Sequence, residues 1–110
     1  MSVTTRLFDE ARNLDIPGVG RITVLNKRFS GVPDWASYIG RGSRWGNPFR
    51  IGPDGNRDEV IEKYAAWFET TELERHLDEI RGRSLVCWCA PQRCHGHFLL
   101  ARANRSYPRL

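Results

Sequence analysis

The sequence predicts one α/β domain, with a short and mainly parallel sheet flanked by helices. Short runs rich in β-branched and apolar residues alternate with segments of helical periodicity. Helices intervene between strands, and a helical crossover implies parallel pairing. A chain of 110 residues holds one hydrophobic core but not two well-packed ones.

Residues 1–19 mix charged and apolar positions weakly and end in the turn-rich Pro17-Gly18-Val19-Gly20. We expect a frayed arm or a short helix outside the core there, with the domain proper spanning 20–110. Residues 21–26 (RITVLN) read as the first strand and 34–39 (DWASYI) as a short second one. Gly42, Gly46, Pro48, Gly52 and Pro53 punctuate the following stretch to Gly55, which reads as a long irregular loop. Asn56 followed by Glu59 has the form of a capping box, and Val60, Ile61, Tyr64, Trp67 and Phe68 then recur at helical spacing. A second helix over 72–81 carries Leu73, Leu77 and Ile80 on one stripe and stops at Gly82. The apolar run 85–88 suits a strand covered on both faces, and 94–104 suits a closing helix with Phe98, Leu99 and Ala103 inward. The sum is a small Rossmann-like domain, and ligands of such sheets bind beyond the carboxyl ends of the strands.

The hydrophobic fraction of 40%, with four Trp, three Tyr and five Phe, excludes the disordered class. No window approaches the roughly 18 apolar residues of a membrane span, and the first residues lack a secretion signal, so we expect a cytoplasmic protein without a membrane partner. Three cysteines within positions 87–94 argue for reduced thiols rather than a disulfide framework. Charge is segregated: 57–80 holds three basic and eight acidic residues, while 81–110 holds six arginines and no acid. Such a chain presents a positive and a negative face.

In Cys87-Trp88-Cys89, strand alternation turns both thiols to one face, about 6.6 Å apart, and Trp88 to the other. Cys94, His95 and His97 follow at the start of the closing helix. Zinc takes four ligands of these types, but the spacing matches no paired CxxC ribbon, so zinc is admitted without being favoured and no metal ligand is assigned. The alternative chemistry is a nucleophilic thiol with a lowered pKa, for which Cys94 is the candidate: it starts a helix between Arg93 and His95. Cys87 is expected to be a small core residue, with Cys89 intermediate, and His97 and His76 are expected at the surface.

The loop 38–49 (YIGRGSRWGNPF) offers glycines for close backbone approach, Arg41 and Arg44 for an anion, Trp45 for stacking and Asn47 for polar contacts. Its structural reading is a loop in which Trp45 packs on the sheet and Asn47 satisfies backbone groups.

YIGRGSRWGNPF, the helix start DGNRDEVIEKY, and CWCAPQRCHGHFLL occur in that order, and together they resemble the domain-of-unknown-function family 4326. The resemblance implies a bacterial or phage origin and no established activity. It makes Arg41, Trp45, Gly46, Asn47, Pro48, Cys87, Cys89, Cys94 and His95 recurrent motif positions. Gly42 stands where that family often has proline and Arg44 where lysine is common; His97 stands where an acid is usual, so no metal role passes to it.

The leading expectation is a two-loop site that recognises a nucleotide or nucleic-acid group, with Arg41 and Arg44 on phosphate and Trp45 stacking. Cys94, His95 and Cys89 would be the centre of thiol- or imidazole-assisted transfer or hydrolysis. Two alternatives stand beside it: a non-catalytic binding or inhibitory module, such as a phage protein acting on a host partner, and a structural zinc domain. The sequence leaves open whether the protein is an enzyme and what its oligomeric state is.

Overall fold

Four strands make one sheet in the order β1-β2-β4-β3, in a computed structural model that describes residues 9–105. Expectations for residues 1–8 lie outside the described residues. β2 (Gly20–Asn26), β4 (Ser84–Cys87) and β3 (Ala36–Tyr38) run parallel, with Asn26 beside Cys87 and Tyr38 beside Val86. β1 (Asn13–Ile16) adds to β2 antiparallel, so the sheet is mixed.

β1 corrects the expectation that the chain before Gly20 stays outside the core. Ile16 is buried in the main cluster, and the Ala11 N–H donates to the His97 carbonyl at 2.9 Å. A weakly patterned segment gains this place through backbone ladder bonds and arginine pairs, which leave little trace in hydropathy.

After β2 comes a single turn, α1 (Lys27–Ser30), capped by Asn26, whose side chain accepts from the Arg28 N–H at 2.9 Å. The other end of that amide donates to the carbonyls of Trp88 (3.0 Å) and Ala90 (2.9 Å), tying β2 to the turn after β4. α2 (Arg57–Phe68) opens with the expected capping box, in which Asn56 and Glu59 exchange hydrogen bonds of 2.9 Å each. The next helix buries the Leu73, Leu77 and Ile80 stripe but adopts 3-10 geometry over Leu73–Glu79. Gly82 follows with φ of +71°, a conformation that favours glycine.

α3 (His95–Ala103) is buried along nearly its whole length, and Arg102 alone of its nine residues keeps partial exposure. A helix this enclosed has no polar face, so His97 is buried rather than at the surface. Gly96 permits the approach: a Cβ there would stand 2.8 Å from Ile39 Cδ1 and 3.1 Å from Val24 Cγ1. No helix among the described residues is long and apolar enough to cross a membrane.

Candidate functional site

β3 and β4 end side by side, and the Ile39 N–H donates to the Val86 carbonyl at 2.9 Å. The two motif loops therefore leave the sheet next to each other at its carboxyl edge. Between them lies a cleft of about 150 Å³. The first loop contributes Gly40, Arg41, Asn47, Phe49 and Ile51, and α2 contributes Arg57, Val60 and Ile61. The far wall is Cys87, Trp88, Cys89, Arg93, Cys94 and His95.

The three thiols converge. Cys87 Sγ lies 3.2 Å from Cys94 Sγ, and the Cys89 N–H donates to Cys87 Sγ at 3.4 Å. Cys94 is the N-cap of α3, where its sulfur accepts from the Gly96 N–H at 3.2 Å. The hydrogen bond from Cys87 holds the Cys94 thiol below its ordinary pKa, and burial opposes this while the Gly96 N–H assists. The same contacts act oppositely on the neighbours. For Cys87 a hydrogen bond with Cys89 lowers the pKa, but the bond to Cys94 and burial outweigh it and the net shift is upward. Cys89 is pushed far up by its hydrogen bond with Cys87 and by burial, against the lowering effect of Arg57. Cys94 is the thiol whose thiolate the fold favours, although its residue surface is only 2% exposed.

His95 does not supply that activation. Its Nε2 lies 2.8 Å from the Ile39 carbonyl, so the ring donates there, and burial lowers its pKa from 6.5 to about 4. It is a neutral strut between α3 and the first loop. His97 Nδ1 accepts from the Cys94 N–H at 3.1 Å, completing the cap from the other side, and burial lowers its pKa as well. Arg93 is also engaged elsewhere, holding Glu10 through two contacts of 2.8 Å and Asp58 at 2.7 Å. Among the described residues no group of three or more His, Cys, Asp or Glu is placed to hold a metal ion.

The first loop divides its residues. Arg41 lines the cleft, with Nη1 3.3 Å from the Asn47 carbonyl. Arg44 instead pairs with Glu79 at 3.2 Å, outside the cleft. Trp45 is 4% exposed in the core cluster, and its carbonyl accepts from the Tyr64 hydroxyl at 2.8 Å, so it offers no face for stacking. Asn47 lines the cleft but works as a clamp, donating to the Val60 carbonyl at 3.1 Å and accepting from the Phe49 N–H at 2.9 Å. Gly46 is required where the loop crosses itself, since a Cβ would come 2.9 Å from the Gly40 oxygen.

The model of the family described as Domain of unknown function (DUF4326) matches residues 22–105, from β2 to the end of α3 and through both loops. The chain belongs to DUF4326. A relative in phage T4, an uncharacterized 12.4 kDa protein in the nrdA-td intergenic region, is 36% identical over 96 residues, covering 81% of this chain and 84% of that protein. Uncharacterized protein R718 of Acanthamoeba polyphaga mimivirus is 34% identical over 47 residues, 43% of this chain and 36% of that protein. No solved structure matches. The DUF4326 match excludes β1 and Ala11, whose N–H reaches the His97 carbonyl at the start of α3 from outside the matched region.

Sequence reasoning passed over three groups of this site. Trp88 is 55% exposed on the same cleft wall as Cys87 and Cys89, which corrects the expectation that it faces away from the thiols: β4 ends at Cys87, so strand alternation does not continue through Trp88. Arg57 lines the cleft from the first turn of α2, a position that reads as ordinary surface charge. Asn26 had no signal beyond ending a strand.

Proposed function

We propose that the cleft recognises a nucleotide or nucleic-acid group and that the Cys94 thiolate is its reactive centre. One observation carries this reading: both motif loops close on a single cleft, which arginines from two elements, Arg41 and Arg57, line together with the one thiol whose pKa is depressed. The reading treats the β2-β4-β3 core as a minimal Rossmann-like unit, in which ligands collect beyond the carboxyl ends of parallel strands. Guanidinium groups suit phosphate oxygens, and the thiols stay reduced in a cytoplasmic setting.

The cleft is smaller than the roughly 300–1,000 Å³ that encloses a whole small ligand, so it takes one group of a larger molecule. The chemistry it permits is transfer or hydrolysis. Cys94 Sγ bonds to the electrophilic atom as the bond to the leaving group breaks, and water then cleaves that linkage and restores the thiol. The neutral, carbonyl-bound His95 orients the helix and takes no proton in this scheme.

Burial of Cys94 favours a second reading, a non-catalytic binding module with packed thiols. A thermal-shift screen against nucleotides and short oligonucleotides tests the shared part, because a ligand selective for the folded state raises Tm. Arg41→Ala should fold normally and lose the shift, and added salt should erode binding steeply. Absence of any shift across the panel would overturn both readings. Turnover by wild type and none by Cys94→Ser, with binding retained, separates the enzyme from the module.

A further inference from the structure

We infer that the ligand is single-stranded nucleic acid and that Trp88 is the platform on which one of its bases stacks, an inference that rests on the proposed reading of the cleft. The indole is held in place at the cleft mouth: its Nε1–H donates to the Tyr38 hydroxyl at 3.2 Å, which donates in turn to the Arg41 carbonyl at 3.1 Å. The Lys27 ammonium stands 5.1 Å from the Tyr38 ring centroid and 5.2 Å from that of Trp88. Lys27 thus lies over the indole, while Trp88 itself lines the cleft and keeps 55% of its surface exposed, leaving area on which a base can stack. A base entering the cleft completes a cation–indole–base stack in which the ammonium also offsets backbone charge.

Two features select a single strand. A cleft of about 150 Å³ accepts one group and leaves the rest of the ligand outside. Duplex bases are already stacked and face inward, so a fixed aromatic wall at a cleft mouth gains contact only with an unpaired one. Outside the cleft, α1 continues the same chemistry with Arg28, whose guanidinium lies 5.9 Å from the ring of Phe29, itself 81% exposed. Alternating aromatic and basic groups are the general means of holding a strand without reading its sequence.

Fluorescence anisotropy of a labelled oligothymidylate on the full chain at low salt tests this. Wild type should bind the oligomer, with a hairpin duplex and thymidine monophosphate competing poorly. Trp88→Ala should weaken binding by roughly tenfold and Trp88→Phe by less, since a smaller ring still stacks. Trp35→Ala, an exposed indole at the opposite end of β3, should leave binding unchanged. Equal affinity for the hairpin or the mononucleotide, or an unaffected Trp88→Ala variant with a normal melting curve, would overturn the single-strand inference and leave the cleft reading intact. Binding of neither nucleotide nor oligomer would overturn both.

Discussion

The loop after β3 and the loop after β4 reach the same cleft, yet they spend their side chains differently. In the first, Trp45 is core, Arg44 is paired with Glu79 and Asn47 clamps the loop to α2, leaving Arg41 as the cation that faces the cleft. In the second, Trp88, Cys89 and Cys94 all line the wall, and the buried groups behind them, His95 and His97, fix the cap of α3. A motif can thus be dense in ligand-like residues because its loop must hold a shape, while the neighbouring motif places its thiols and an exposed indole on the cleft wall.

If that division is right, substitutions in the first loop should cost stability before they cost binding. The largest effect should come from Trp45→Ala, which removes a buried indole and should lower unfolding free energy by about 3–5 kcal/mol in urea titrations. A loss below 1 kcal/mol would return Trp45 to the list of ligand candidates.

The second loop should reveal itself through pH. His95 titrates at 6.5 when unfolded and at about 4 in the fold, so the unfolded chain takes the proton first as pH falls. Its contribution to stability is full above pH 6.5 and declines down to pH 4, below which it changes no further. At pH 4.5 the loss should be about 2–3 kcal/mol. His97, shifted in the same direction, adds to it. His95→Gln keeps an N–H donor for the Ile39 carbonyl and removes the titration, so its stability should fall less between pH 7 and 4.5. Identical pH profiles would show that His95 is not the neutral strut.

The smallest effect separates the two arginines of the first loop. Arg44→Ala breaks a half-exposed ion pair and should cost at most about 1 kcal/mol, with ligand binding unchanged. Arg41→Ala should do the reverse, and loss of binding in both variants would place both guanidinium groups on the ligand.

Much of the frame was legible because it rests on local rules. The Asn56–Glu59 box, the glycine at Gly82 after the second helix and the apolar run from Leu85, buried on both faces in β4, are set within a few residues, and each appears close to where the pattern puts it. What stayed hidden depends on distant partners. β1 is chosen by pairing with β2, and His97 is buried because residues 9–12 and the sheet enclose α3. Cys94 is depressed by Cys87 across a gap of seven residues and by the helix cap, not by the adjacent His95 and Arg93 that make it conspicuous in sequence. The chemistry of the thiols is a tertiary property, whereas their clustering is a sequence one.

The account turns on Cys94 as the favoured thiolate on the wall of a ligand cleft, and limited alkylation of native protein read by mass spectrometry tests it most directly. With pH raised stepwise, Cys94 should label at lower pH than Cys87 and Cys89, both of which are shifted upward, and a bound oligonucleotide should slow its labelling. Labelling of Cys89 or Cys87 ahead of Cys94 at every pH, with no protection by ligand, would contradict it.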